Sequence, residues 1–257
     1  MTSLSTLLDL SGKVAIVTGA TGQLGRAIST TLAEQGANIV VNSRTKSECE
    51  EFASQLSNRY QRSTAAAGDI TEVEDVDSVI DRAVEEFGHL DILINNAYAG
   101  ETPEFEELTL QDFQAGLETG ILGPFLFCKS SIPELKKTEG CIVNISSIYG
   151  VVAPDHRIYE NTFLSSPPHY GAAKASLIQF TRWLATRYAE DNIRANSITP
   201  GGIYNEKFEE RQGYVDRFVP SYVYRTPLGR MGTPDDLRGA VAYLSSDASR
   251  WVTGQNM

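Results

Sequence analysis

Tyr170 and Lys174 stand four residues apart in the run Pro167-Pro168-His169-Tyr170-Gly171-Ala172-Ala173-Lys174-Ala175. The stretch that follows, through Tyr188, has helical spacing and good helix formers. On a helix, positions i and i+4 lie on one face about one turn apart. A phenol and an ammonium held there share an environment that can lower the phenol's pKa from roughly 10 towards neutrality, which is what a tyrosyl acid or base needs. On an arbitrary helix the same pair is an ordinary solvated face. What sets it apart is the turn Thr18-Gly19-Ala20-Thr21-Gly22-Gln23-Leu24-Gly25 near the N-terminus. It lies between an apolar β-branched run, Val14 to Val17, and a helical pattern that continues to about Gln35. Glycines there permit a tight turn and let a pyrophosphate approach the backbone and the helix N-terminus. Gly19, Thr21, Gly22, Gln23, Leu24 and Gly25 are therefore candidate dinucleotide contacts.

Further candidates follow the next strands. At the end of the second strand an NAD-preferring site places an acid to bond the ribose 2′-hydroxyl. Here that place holds Ser43 and then Arg44. A guanidinium without an acid favours the 2′-phosphate of NADP(H), with NAD(H) the other possibility. Asp69 and Ile70 after the third strand are placed to meet the adenine edge. Asn95-Asn96-Ala97 after the fourth offers Asn96 and Ala97 to the adenosine side, although either pair can equally be turn chemistry.

Elements must exist to position these groups. Short apolar strands alternate with helices at steps of about 20 to 30 residues, a βαβ rhythm. Strands are expected at Val14–Val17, Asn38–Asn42, Thr64–Ala67, Asp91–Asn95, Cys141–Ile145 and Arg194–Ile198. Helices are expected at Lys46–Arg59 and Val73–Phe87, in a long run from about Leu110 to Leu135, and from Pro234 to Leu244 with Thr233 as N-cap. The pattern predicts an α/β fold: a single doubly wound, Rossmann-like parallel sheet with helices on both faces. Ligands of such sheets bind beyond the carboxyl ends of the strands, where every candidate above falls. The whole chain, 1–257, reads as one NAD(P)-binding domain.

Composition narrows the function class. With 257 residues, 41% hydrophobic and 21% charged, the chain is globular and long enough for a large core. A net charge of −11 argues against nucleic acid or an anionic membrane as the main partner. Cys49, Cys128 and Cys141 are odd in number and lack metal-ligand spacing, so they read as reduced thiols and no metal site is expected. The N-terminal segment has no cationic n-region, and no stretch approaches the ~20 apolar residues of a membrane span. A cytoplasmic protein is expected.

Taken together and in order, these residues resemble the short-chain dehydrogenase/reductase family over nearly the whole length. The carriers are the Thr18–Gly25 turn, Asp69, Asn95-Asn96-Ala97, Asn144-Ile145-Ser146-Ser147, Tyr170-x-x-x-Lys174 and Ile198-Thr199-Pro200-Gly201-Gly202-Ile203. The segments Pro227-Leu228-Gly229-Arg230, Leu244-Ser245-Ser246-Asp247 and Thr253-Gly254-Gln255 add to it. The resemblance implies that Tyr170 is the general acid/base, that Lys174 bonds the nicotinamide ribose and, with the positive nicotinamide ring, depresses the tyrosine pKa, and that Ser147 bonds the substrate oxygen. It implies that Pro200, Gly201 and Ile203 clasp the nicotinamide carboxamide. It also implies a homodimer or homotetramer, with the long fourth helix and the Tyr170 helix forming one interface.

Four departures from the family pattern stand out. Gly19-x-x-Gly22-x-x-Gly25 puts Gln23 at the usual middle glycine, a spacing similar to the sugar-nucleotide-modifying branch. Gly120 occupies the place of an asparagine that holds a relay water. A glycine inside a helix costs about 1 kcal/mol relative to alanine, so helix stability does not explain it; Pro124 just beyond predicts a local kink. Either a water replaces the amide, or the relay runs differently, or catalysis is slow. Gly120→Asn is expected to leave folding intact and to raise or preserve turnover if a water fills the amide's place, and a misfolded product would mean that the glycine serves close packing. Tyr170 comes 23 residues after Ser147, a longer interval than is usual. The surplus, 151–168, carries Asp155, His156, Arg157, Tyr159, Glu160 and Asn161 and is expected to lie over the substrate. Finally, the chain ends at Met257, where the family adds a last strand.

The leading reading is an NADP(H)-dependent oxidoreductase interconverting a secondary alcohol and a ketone on a polar small molecule. The polar loop and Arg157 point to a sugar or other hydroxylated or anionic substrate, and Ile148 to Asp155 with the Pro200–Ile203 turn is similar to reductases of bacterial surface-sugar and flagellin modification. Residues 204–225 are expected to form a lid. His169 reads as a structural neighbour of Tyr170. The alternatives are a sugar-nucleotide epimerase or dehydratase, and a catalytically weak dinucleotide-binding regulator.

Overall fold

Six short strands, all parallel, form one sheet in the computed structural model of the chain, which describes residues 2–100 and 103–257. They are β1 (Val14–Val17), β2 (Asn38–Val41), β3 (Ser63–Ala65), β4 (Ile92–Asn95), β5 (Cys141–Ile145) and β6 (Arg194–Ile198), in the order β3-β2-β1-β4-β5-β6. The helices are α1 (Leu4–Leu8), α2 (Gln23–Glu34), α3 (Lys46–Arg59), α4 (Val73–Phe87), α5 (Leu110–Leu117), α6 (Gly123–Thr138), α7 (Pro168–Arg187), α8 (Val219–Tyr224) and α9 (Arg238–Ser245).

Strand side chains alternate between faces, so each apolar run feeds two cores. Ala15, Val17, Ile39, Ile94 and Val143 pack beneath α2, α3 and α9. Val14, Ile16, Val40, Leu93 and Ile142 pack beneath α4, α6 and α7. This is the doubly wound, Rossmann-like architecture expected, and the order reverses between β1 and β4, the crevice where such sheets take ligands. Beyond β6, the backbone of Gln255 to Met257 runs parallel to Ser197 and Thr199 and bonds them on the far side from β5. Among the described residues no helix is long and apolar enough to cross a membrane.

Most expected elements hold within a residue or two. The helix expected from Pro234 begins as a 3₁₀ turn, Pro234–Leu237, under a Thr233/Asp236 capping box, and continues as α9. The short helices α1 and α8 carry no sequence periodicity of useful length. Outside the sheet, residues of 151–168 and 204–225 share a third core around Ile158, Tyr214, Phe218 and Met231.

The long helix expected from Leu110 is broken where Pro124 predicts a kink. Between α5 and α6 the chain makes a π turn, Glu118–Leu122, in which Gly123 N–H bonds the Glu118 carbonyl five residues back. Pro124 has no N–H to offer Gly120, so the regular ladder cannot continue through this point. The turn presses Gly120 against α7: a Cβ on Gly120 would lie 2.5 Å from Ala173 Cβ and 3.3 Å from the Tyr98 ring. Both Gly120 and Ala173 are buried. Close packing therefore accounts for the glycine. Gly120→Asn is expected to destabilise the protein by about 1–3 kcal/mol through overpacking. Denaturant unfolding measures this, and a variant as stable as the parent contradicts the packing account.

Candidate active site

Ser147 follows the end of β5 in extended backbone, and its Oγ accepts the Tyr149 N–H at 3.2 Å. Helix α7 lies directly on this segment. A Cβ on Gly150 would sit 2.7 Å from the Lys174 carbonyl carbon, and one on Gly171 3.0 Å from the Tyr149 oxygen. Those two glycines let α7 approach closely enough for the Ser147 hydroxyl to hydrogen-bond the Tyr170 phenol. Ser146 Oγ bonds the Lys174 carbonyl at 2.9 Å, and a buried amide chain runs from Asn95 to Asn144 (2.8 Å) and on to Thr181 (2.8 Å). These bonds pin α7 to β4 and β5.

The Lys174 ammonium is buried and donates to the Ile145 carbonyl at 2.9 Å. Burial pulls its pKa down to about 8. Burial pushes the Tyr170 phenol up, and the Ser147 hydrogen bond offsets this only in part. The depressed phenol implied by the family resemblance is thus not a property of the protein alone; a further positive charge at the ring would have to supply it.

The glycine turn forms a second centre. Gly19 has φ +62°, and a Cβ there would come 2.8 Å from Ala97 Cα. A Cβ on Gly25 would overlap the Gly19 carbonyl oxygen. Asn96 Nδ2 holds the turn through the Thr18 (2.9 Å) and Gly19 (3.2 Å) carbonyls, while Thr18 Oγ1 accepts the Asn96 and Ala97 N–H groups. The N-cap of α2 is Gly22, with no side-chain cap and no acid in the first turn. The turn therefore leaves a helix N-terminus open to an anion. Above it lies a cavity of about 410 Å³ whose walls include Gly19–Gly25, Ser43, Arg44, Asp69, Ile70, Asn96 and Ala97. This cradle of glycine backbone, open N–H groups and a guanidinium fits a dinucleotide. Arg44 is exposed at its rim. Asp69 Oδ1 accepts the Thr71 N–H and hydroxyl, an Asx turn that ties down part of its carboxylate.

Pro200, Gly201 and Ile203 lie across the mouth from this cavity and border a separate apolar one near Met257. Gln23, the residue in place of the usual middle glycine, bridges the gap by donating to the Tyr204 carbonyl at 2.7 Å. Arg157 does not reach the cavity beside Tyr170. Its guanidinium is exposed and paired with Asp155, which also binds Arg225 at 2.7 Å. Asp155 lies only two residues before Arg157 and captures it locally. His169 is buried edge-on to Phe113, away from that cavity. Among the described residues no cluster of metal ligands occurs.

The cavity beside Tyr170 has a volume of about 220 Å³. Tyr149 and Tyr159 face it with hydroxyls 2.7 Å apart, opposite Ile203, Phe208, Phe218 and Met231. Tyr222 lines the neighbouring apolar cavity, its hydroxyl accepting the Gly202 N–H at 2.5 Å. Tyr98, directly after Asn95-Asn96-Ala97, packs its ring edge against Tyr170 with centroids 5.0 Å apart. Of these four tyrosines the sequence singles out Tyr159 alone, within the polar surplus 151–168. For Tyr98 the adjacent motif was the available signal; the others sit in segments without periodicity.

A family model described as enoyl-(acyl carrier protein) reductase matches residues 19–257. Dehydrogenase/reductase SDR family member 4 of Caenorhabditis elegans is 34% identical, over 95% of this chain and 92% of its own length. The 3beta-hydroxysteroid dehydrogenase 1 of Eggerthella lenta is 30% identical, over 97% and 92%. Among solved structures, a gluconate 5-dehydrogenase from Burkholderia cenocepacia, in complex with NADP and tartrate, superposes with a TM-score of 0.88 at 27% identity, covering 99% of this chain and 96% of that one. Matched from end to end by such relatives and built on the same sheet, the chain belongs to the short-chain dehydrogenase/reductase family of NAD(P)-dependent oxidoreductases acting on alcohols and ketones.

Proposed function

We propose that the protein is an NADP(H)-dependent reductase or dehydrogenase that interconverts a secondary alcohol and a ketone on a hydroxylated small molecule such as a sugar derivative. The observation that carries this reading is the contact of Ser147 with Tyr170, with Lys174 buried one helical turn away. Nicotinamide, when bound, supplies or accepts the hydride. The protein's part is the oxygen. The Ser147 hydroxyl donates to the carbonyl oxygen, and the Tyr170 phenol gives up its proton as negative charge develops there; in the other direction tyrosinate takes the alcohol proton. Lys174 and Ser147 favour the tyrosinate by charge and by hydrogen bonding.

The substrate class rests on the cavity. One wall offers the Tyr149 and Tyr159 hydroxyls and the other is aromatic and aliphatic, which suits a ring with hydroxyls on its edge and an apolar face. Similarity to a gluconate 5-dehydrogenase structure supports the same class. Because Arg157 is bound to Asp155 and lies away from this cavity, it is not the group that would recognise a charged substituent there. Residues 151–168 act as the substrate loop and 204–225 as the lid, within one domain spanning 1–257. The epimerase or dehydratase reading rested on the glycine spacing. Gln23 has a local task in joining the turn to Tyr204, so that spacing needs no second chemistry. A non-catalytic regulator has no use for Ser147, Tyr170 and Lys174 brought to one place.

Phe125, exposed on α6, and Trp183, exposed on α7, flank Phe180 in an aromatic strip, Trp183 stacked on Phe180 and Phe125 tilted against it. We assign this face to a second copy of the chain in a homodimer or homotetramer; light scattering that finds a monomer at micromolar concentration overturns that assignment.

Two variants test the activity. With NADPH and a panel of keto-sugars, Tyr170→Phe is expected to lower kcat by at least about 10²-fold, the size of a general-acid contribution, with NADPH affinity retained. Undiminished turnover would sink the assignment of the proton. Arg44→Ala is expected to weaken NADPH binding about tenfold or more while leaving NADH nearly unchanged, because a charge-assisted phosphate contact is lost. Equal losses for both coenzymes rule out the 2′-phosphate contact.

A further inference from the structure

Lys174 is a buried cation with a single hydrogen-bond acceptor among the described residues, the Ile145 carbonyl. An ammonium has three donors, and burying it without compensation is costly. What surrounds the rest of it is aromatic. Its Nζ lies 5.1 Å from the centroid of the Tyr98 ring and 5.8 Å from that of Tyr170. The two rings meet edge to face at 74°, centroids 5.0 Å apart. Tyr98 reaches this position from the connection after β4, and it needs Gly120 to do so: a Cβ at 120 would lie 3.3 Å from Tyr98 Cε2.

We infer that Tyr98 is a positioning residue of the active site, its ring holding the Lys174 ammonium as a cation against the Tyr170 phenol. The role rests on the reading of Tyr170 as the acid/base, but the physical claim about Lys174 stands or falls separately. The face of an aromatic ring carries negative potential and attracts a desolvated cation within about 6 Å of its centroid. The other groups on this assembly are hydroxyls. Ser147, after β5, bonds Tyr170; Tyr222, on α8, and Tyr149, after β5, are phenols; and among the described residues no carboxylate offsets the burial of Lys174. With no anion to stabilise the charge, the rings and one carbonyl must do so. Gly120 and Tyr98 therefore act together: the missing side chain at 120 makes room for the ring that replaces polar company around the ammonium.

The test uses the ligand-free full-length protein, so it depends on neither substrate nor coenzyme. Lysine side chains are labelled with carbon-13 and followed by NMR across pH, the Lys174 signal being identified by its loss in Lys174→Met. Tyr98→Leu removes the ring and is expected to move the Lys174 titration down by about one pH unit, the size of a desolvated cation–π attraction. Tyr98→Phe keeps the ring and is expected to leave it in place. Should the leucine variant fail to fold, Tyr98→Met serves for the same comparison. Identical Lys174 titrations in all three proteins overturn the inference and leave Tyr98 as packing only. A downward shift in Tyr98→Phe equal to that in Tyr98→Leu also overturns it, since the hydroxyl and not the ring would then be responsible.

Discussion

A buried ammonium is the constraint on which this site depends. Lys174 sits inside the protein with burial pulling its pKa down, and a lone cation there would shed its proton or force the helix outward. The fold answers with a carbonyl at the end of β5, two tyrosine rings and a close contact between α7 and the segment after β5. Each of these needs a small residue: Gly150 and Gly171 where α7 meets the segment after β5, and Gly120 where the π turn meets Ala173. Small side chains at three crossings are thus the physical condition for one charge.

The same close approach explains the chemistry. Packing α7 onto the ends of β4 and β5 brings Ser147 to Tyr170, while the break in strand order between β1 and β4 opens the dinucleotide cradle alongside. The groups proposed to handle the proton and the turn proposed to bind the anion come from opposite halves of the sheet. They converge because parallel strands all end on one edge. In the free protein the Tyr170 phenol is held up by burial, so it is protonated at neutral pH and suited to donate.

Much of this was legible in the sequence, for identifiable reasons. Val14–Val17, Cys141–Ile145 and Arg194–Ile198 are fully apolar or flanked by breakers, and Val73–Phe87 is sharply amphipathic, so their spans match the structure closely. The glycine turn and the Tyr170–Lys174 pair were visible because their spacing is local, whereas Ser147 entered through the family resemblance. Residue types alone did not reveal orientation. Arg157 looked like a substrate contact until Asp155, two positions earlier, was seen to hold it. The split of the long helix follows from a bond spanning five residues, which no 3.6-residue pattern encodes. Tyr98 and Gly120 are far apart in sequence, and only their contact in space gives either a meaning.

If one strand-end site holds the coenzyme and the proton donor together, a crystal structure of the protein with NADP⁺ will show it. The pyrophosphate is expected on the Gly19–Gly25 turn, the 2′-phosphate on Arg44, and the nicotinamide ring facing the Tyr170 and Ser147 hydroxyls. A dinucleotide bound elsewhere, or one whose nicotinamide points away from Tyr170, would contradict it.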